Sequence, residues 1–221
     1  MIGLGAAGIV FGSKVQAGLE RALRPLVLND ITGLSSFLPT AGRFRIYSVV
    51  GFLPKRTEAE YRLIVDGLVD DPLELTVDDL RALPQTRMVK DFQCVTGWRV
   101  PEVPWQGVKV SELLDRAGSI DGATHLRFFS FDGAYTESLT LDQARRDDVI
   151  VAHQMIGDSV TREHGGPVRL YVAPMYGYKS IKWLNRIEVV REEVPGYWEE
   201  RGYDIDAWVG RSNGRADEDI S

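Results

Sequence analysis

Short segments in which apolar residues recur at every second position, repeatedly broken by Gly, Pro and Asp, limit what this chain can build more than any other feature. Arg43 to Val49, Tyr61 to Val65, Thr86 to Cys94, Thr124 to Phe131 and a run from Val149 all read as strands. Val168, Leu170 and Val172 share one face of a further strand and leave Arg169 and Tyr171 on the other. Asp70-Asp71-Pro72, Asp132-Gly133 and Gly157-Asp158 mark turns. Helix is confined to short pieces. Thr76 with Asp79 has the spacing of a capping box and opens a helix that Pro84 ends, and Thr140 with Gln143 repeats the device. Ser111 is placed to cap a helix running to Ala117, with Gly118 as its terminator. Pro25 breaks the helical pattern of Leu19 to Leu28, and the stretch to Pro39 has linker composition, so the domain proper is expected over 42–221 after a segment and linker over 1–41.

One cysteine in 221 residues excludes an internal disulfide, so the fold must stand on its core, for which 44% hydrophobic residues are ample. A formal charge of −6, without regular interleaving of aromatic and basic residues, argues against nucleic acid as a partner. Asp217, Glu218 and Asp219 read as a solvated tail. No pair of the three histidines has metal-ligand spacing, which argues against zinc. Gly3, Gly5 and Gly8 satisfy a loose dinucleotide-binding pattern, but no strand precedes them.

Two stretches carry chemistry. Cys94 follows a strand and enters a glycine-containing loop, with Arg87, Lys90 and Arg99 close by in sequence. A lone cysteine is either a small buried hydrophobe or, in an electropositive setting, a thiolate fit for a soft metal or for nucleophilic attack. Arg162 to Arg186 reverses the overall charge, with five Lys or Arg residues against the single acid Glu163. Pro174 and Gly177 preclude regular structure there, which places Lys179, Ser180 and Lys182 on a loop whose amides suit a phosphate; surface ion pairing is the other reading.

In combination, Asp91-Phe92-Gln93-Cys94, Tyr135-Thr136-Glu137-Ser138-Leu139, His164-Gly165-Gly166-Pro167-Val168-Arg169-Leu170 and Tyr176 to Leu184 resemble, in order and spacing, the molybdopterin-binding domain of the sulfite oxidase family, which includes the catalytic subunit of bacterial protein-methionine-sulfoxide reductase. The resemblance covers roughly Phe44 to Val190 and implies an α+β fold of strand-rich mixed sheets with short helices. It implies a molybdenum-molybdopterin cofactor with Cys94 as the protein's thiolate ligand, His164 and Arg169 holding the pterin and its phosphate, and Ser180, Ile181 and Lys182 forming a phosphate loop. Ser130 matches a hydroxyl that reaches the cofactor, and Arg43, Phe44 and Tyr47 match a region that closes over it. Tyr135 corresponds to an active-site phenol, and Arg99 to an arginine that holds an anionic substrate.

The implied activity is oxygen-atom transfer on a small sulfur-containing substrate of sulfite or sulfoxide type. Thr96, Gly97 and Trp98 stand where sulfite oxidases favour Gly-Asn-Arg, and Thr96 stands where the sulfoxide-reductase branch has glutamate, so the residues assign neither substrate. Roughly thirty residues follow Val190, too few for a haem or immunoglobulin-like domain, so electrons are expected to pass through a separate protein, a membrane cytochrome being one candidate. Met1 to Gly12 is uncharged and apolar like an export signal, Ala17 offers a cleavage position, and the missing charged segment suggests a natural start upstream; a buried helix is the alternative. The expected location is therefore the cell envelope, periplasmic or extracytoplasmic, with membrane association through that segment. Two competing functions stay open: a non-catalytic pterin-binding or electron-transfer accessory subunit, and a cysteine hydrolase pairing Cys94 with His153 or His164. His125 reads as structural, and Pro195 to Tyr203 as packing over the domain surface or docking a partner.

Overall fold

The computed structural model describes residues 44–118 and 121–212. Arg43, the apolar segment over 1–41 with its boundary, and the acidic tail at 217–219 lie outside these residues. Within them, two five-stranded sheets carry the fold. The first has the order β2 (Leu73–Leu75), β1 (Leu63–Gly67), β10 (Leu184–Val190), β5 (His125–Ser130), β6 (Thr136–Thr140); β1 and β10 run parallel and the other neighbours antiparallel. The second is antiparallel, with the order β3 (Thr86–Gln93), β4 (Arg99–Lys109), β7 (Val149–Met155), β8 (Asp158–Ser159), and β9 (Arg169–Val172) also pairs with β7.

The helices are as short as the capping signals require. Helix α1 (Val77–Ala82) has the full capping box of Thr76 and Asp79, and α3 (Leu141–Ala144) has that of Thr140 and Gln143. Helix α2 (Val110–Ala117) starts directly from the end of β4, so Lys109 takes the cap position without a side-chain bond and Ser111 lies inside the first turn. Gly118 does terminate it, at φ 64°.

The second sheet is covered on both faces, which explains the continuous apolar run of β7. Val149 and Val151 join Val168, Leu170 and Val172 in the main core against the first sheet, whereas Ile150 and Ala152 join Tyr171, Trp105 and Phe92 in a second core. The alternation read in Val168 to Val172 is therefore real, and its second face is buried as well, with Tyr171 in the second core and the cation Arg169 beside it. Three features depart from the sequence reading. Phe44 to Ser48 form no strand, because no partner strand pairs with them and they cross a cavity mouth instead. Strand β4 contains Pro101 and Pro104, which argue against a strand locally. Strand β10 alternates charged and apolar residues because one face bears Arg186, ion-paired to Asp66 and Glu188, while Ile187 and Val189 enter the core.

Candidate functional site

Strand β3 delivers Cys94 to a hairpin tip. Cys94 N–H donates to Trp98 O at 2.9 Å and Gly97 N–H to Cys94 O at 3.1 Å, with Gly97 at φ 91°, so the chain reverses within four residues into β4. The Cys94 sulfur, half-buried, stands 3.2 Å from the Thr96 hydroxyl. The tip forms part of the wall of a cavity of about 420 Å³.

The opposite wall comes from the segment between β9 and β10, and hydrogen bonds fix it to the cysteine strand. Gly177 N–H donates to Gln93 O at 2.7 Å, and a Cβ at Gly177 would stand 2.4 Å from the Phe92 ring. The Ser180 hydroxyl accepts from Val172 N–H at 3.0 Å, and the buried Ile181 accepts from Leu170 N–H at 2.9 Å. His164 reaches the same cavity through Gly165, whose φ of 102° and closeness to Lys182 leave no space for a side chain. The His164 ring meets Phe44 edge-on, at 4.8 Å between centroids.

Electrostatically the cavity is built for an anion. Arg169 is 3% exposed, yet its guanidinium donates only to main-chain carbonyls, to His164 O at 2.7 Å, Ser180 O at 2.8 Å and Leu170 O at 3.3 Å. It also lies over the rings of Phe92 and Trp105. Among the described residues no carboxylate pairs with it, and burial lowers its pKa to about 10. Lys182 donates to Tyr47 O and lies over Trp183; burial, with Arg169 beside it, lowers its pKa to about 7. Burial and the same two cations depress His164 to about 4, so its imidazole is neutral at physiological pH. Burying Arg169 is costly unless an anion joins it, and the half-buried Lys182 has Asp132 as the only carboxylate favouring its charge among the described residues.

The cavity gathers Cys94, Tyr135, His164, Arg169, Ser180, Ile181, Lys182 and the exposed Tyr47 from the sequence-predicted set. Two described residues of that set fall outside its lining. Arg99 opens β4 with its side chain 58% exposed, 3.5 Å from Asp91, because the tight hairpin turns it onto the surface. The Ser130 hydroxyl is buried and accepts from Asp132 N–H at 3.1 Å, closing the turn after β5. Lys179 also departs from its reading as a loop cation: its side chain is wholly buried against Glu137 and Glu199. Sequence reasoning missed the aromatic wall. Tyr197, Trp198 and Tyr203 return from the C-terminal segment to line the cavity, with Tyr197 stacked on Tyr135 at 5.6 Å. The aromatic run Pro195 to Tyr203 was the available signal, and it lacked any periodicity that would say which side it covers.

The oxidoreductase molybdopterin binding domain model matches residues 50–198, and the chain belongs to that family, of sulfite oxidase type. Its relatives include the uncharacterized oxidoreductase YuiH of Bacillus subtilis (strain 168), 35% identical over 151 residues that cover 67% of this chain and 76% of YuiH. The sulfite oxidase of Arabidopsis thaliana is 30% identical over 177 residues, covering 65% of this chain and 45% of that enzyme. The crystal structure of the sulfane dehydrogenase SoxCD from Paracoccus pantotrophus superposes with a TM-score of 0.59 at 25% identity, over 64% of this chain and 41% of that one. The chain thus spans about three quarters of YuiH and less than half of the other two. The strand-rich α+β fold is the one the resemblance implied, and the cofactor class is molybdenum-molybdopterin.

The cavity fits that group. Among the described residues no three His, Cys, Asp or Glu side chains cluster to hold a metal, so Cys94 suits a metal that brings its other ligands with it. Arg169, without a carboxylate partner among the described residues, and Lys182 beside it suit a phosphate. The buried indole N–H of Trp98, a cavity-lining residue, has no hydrogen-bond partner among the described residues and offers a further donor.

Proposed function

We propose that this domain catalyses oxygen-atom transfer on a small sulfur-containing substrate, exchanging electrons with a separate redox protein. The observation that carries the reading is the union, in one cavity, of a soft sulfur donor with a buried arginine that has no carboxylate partner among the described residues and a half-buried lysine beside it. When bound, the molybdenum-pterin group supplies two-electron redox chemistry and the exchange of an oxygen atom. The chain's part is to hold and surround it. Cys94 ligates the metal, Arg169 and Lys182 hold the phosphate, and neutral His164 offers a hydrogen bond to the pterin. Tyr135, Trp198 and Tyr203 narrow the space left for substrate and exclude water from it.

Related proteins support this substrate class. They include a sulfite oxidase, a sulfane dehydrogenase and, from Ralstonia nicotianae, the catalytic subunit of a protein-methionine-sulfoxide reductase, 29% identical over 153 residues. The word subunit in that name, and in the name of the related Azospira oryzae protein, supports a separate electron partner, for which a membrane cytochrome is suited. We place the domain at the cell envelope. Among the described residues no helix is long and apolar enough to cross a membrane. A cysteine hydrolase is disfavoured: the sulfur's neighbour is the Thr96 hydroxyl, and His153 lies buried in β7, bonded to Gln85 at 2.7 Å.

The test is elemental and pterin analysis of protein made in a host that produces the cofactor, followed by turnover with sulfite and with methionine sulfoxide. Near-stoichiometric molybdenum and pterin are expected. Cys94→Ser should abolish turnover while pterin remains, because Arg169 and Lys182 still hold it. Absence of both components from folded protein, or full turnover by Cys94→Ser, would refute the reading.

A further inference from the structure

Behind Tyr135 the fold buries three ionisable side chains that the site described above does not use. Glu137 on β6, Lys179 on the loop after β9 and Glu199 in a 3-10 turn (Glu199–Arg201) have side chains 0%, 0% and 2% exposed. Lys179 Nζ stands 3.2 Å from Glu137 Oε2 and donates to Glu199 Oε1 and to Ser138 O. Two carboxylates against one ammonium leave an unbalanced negative charge in the interior, which a protein avoids by binding a proton.

The hydrogen bonds point the same way. Beyond the Lys179 ammonium, 3.2 Å from Glu137 Oε2, and the reach of the Tyr135 hydroxyl, the buried Glu137 oxygens and Glu199 Oε2 make no well-aligned hydrogen bond among the described residues, although the two carboxyl groups are within hydrogen-bonding reach of one another. Two carboxylates cannot bond to each other, whereas a carboxylic acid and a carboxylate can. Burial pushes Glu137 well above the carboxylate range; Lys179 opposes the shift and Glu199 adds to it.

Tyr135 joins this cluster to the cavity. Its ring forms cavity wall, while its hydroxyl donates to Tyr178 O at 2.7 Å and lies within hydrogen-bonding reach of Glu137. The titratable groups facing the carboxyl pair are Lys179, Tyr135 and Tyr178, with Asp204 beyond Tyr178.

We propose that Glu137 holds a proton at neutral pH, shared through a hydrogen bond with the neighbouring Glu199 carboxylate, and that Glu137 is a positioning residue that reprotonates Tyr135 during turnover. The second half rests on the oxygen-atom-transfer reading; the first does not. In the transfer the Tyr135 O–H bond breaks as its proton passes to an oxygen atom in the cavity. The Glu137 O–H bond breaks as its proton passes to the phenolate oxygen, both carboxylates then flank Lys179, and no electrons move. Solvent returns the proton to the pair afterwards.

Infrared difference spectroscopy on the full chain tests the shared proton without any turnover. A carbonyl stretch of a protonated carboxylic acid is expected at neutral pH, absent from Glu137→Gln and shifted in Tyr135→Phe through the lost contact. A wild-type spectrum without that band, or a band that survives Glu137→Gln, would overturn the proposal. Glu137→Gln keeps the shape of the protonated form, so folding should survive, and a melting curve verifies it. At matched molybdenum content, the same variant should lower kcat roughly 100-fold with KM unchanged and displace the pH profile. Tyr135→Phe added to it should cost little more, since both act on one proton path. Wild-type kcat and pH profile in a Glu137→Gln protein that has lost the band would reduce the triad to a fastener for the C-terminal segment. Should no sulfur substrate turn over in any variant, the functional reading fails, while the band still decides whether the proton is shared.

Discussion

Gly177→Ala strikes the joint between the two halves of the cavity. At Gly177 a Cβ would lie 2.4 Å from Phe92 Cζ and 2.7 Å from Cε1, against the roughly 3.5–4.0 Å of a comfortable carbon contact. The ring must therefore retreat by about 1 Å. It has nowhere to go: Phe44, Trp98 and Trp105 surround it at centroid distances of 5.5, 5.7 and 6.5 Å, and the Arg169 guanidinium lies 5.4 Å from its centre. The alternative, moving the loop, lengthens the 2.7 Å bond from Gly177 N–H to Gln93 O. Overpacking of this kind costs about 2 kcal/mol, which for a domain of this size lowers the melting temperature by about 4–8 °C. Because the displaced ring presses on Arg169, cofactor content should fall as well. Differential scanning calorimetry and pterin analysis read the two effects. Phe92→Leu opens room for the new methyl, so the double variant should recover roughly 1–2 kcal/mol relative to the sum of the single changes. A Gly177→Ala protein with wild-type melting temperature and pterin content would refute the reasoning, as would strict additivity with Phe92→Leu.

Sulfate, whose charge is constant from neutral to alkaline pH, should bind the cofactor-free protein best below pH 7. Lys182 has its pKa depressed to about 7, so it is charged below that point and neutral above it, and affinity should fall roughly tenfold as pH rises through it. For stability the sign is opposite: between about 7 and the ordinary 10.5 the unfolded chain binds a proton that the folded chain does not, so this group's burial cost is relieved as pH rises. Isothermal titration with wild type and Lys182→Met decides it, a flat wild-type profile being the contrary result. Thr76→Ala removes the hydroxyl that accepts from Asp79 N–H, while the backbone N–H at 76 still donates to the Asp79 carboxylate, and should cost about 1 kcal/mol in urea denaturation with no change in molybdenum content. A larger loss would mean that α1 supports more than its own first turn.

The site was legible where chemistry is local. Cys94 precedes a glycine turn, the His164-to-Arg169 stretch carries its own charge reversal, and both ended at one cavity. Arg99 misled because five positions from Cys94 suggests proximity, while the hairpin register puts it opposite Gln93 with its side chain on the surface. Lys179 misled because the alternation of a loop carries no period: its neighbours Ser180 and Lys182 belong to the cavity, whereas it points into the core. Phe44 to Ser48 alternate as a strand does, but a strand also needs a partner edge, and none is offered.

The sequence by itself determined the short capped helices, most of the strands and the two stretches, around Cys94 and from His164 to Lys182, that meet at the cavity, because capping, alternation and charge reversal are read within a few positions. Only the tertiary structure decided that β7 is buried on both faces, that aromatic residues 197–203 return to wall the cavity, and that Glu137, Lys179 and Glu199 meet in the dark beneath Tyr135. Those facts depend on contacts between positions tens of residues apart, and burial, which sets their charge states, belongs to the packed molecule and not to any segment of it.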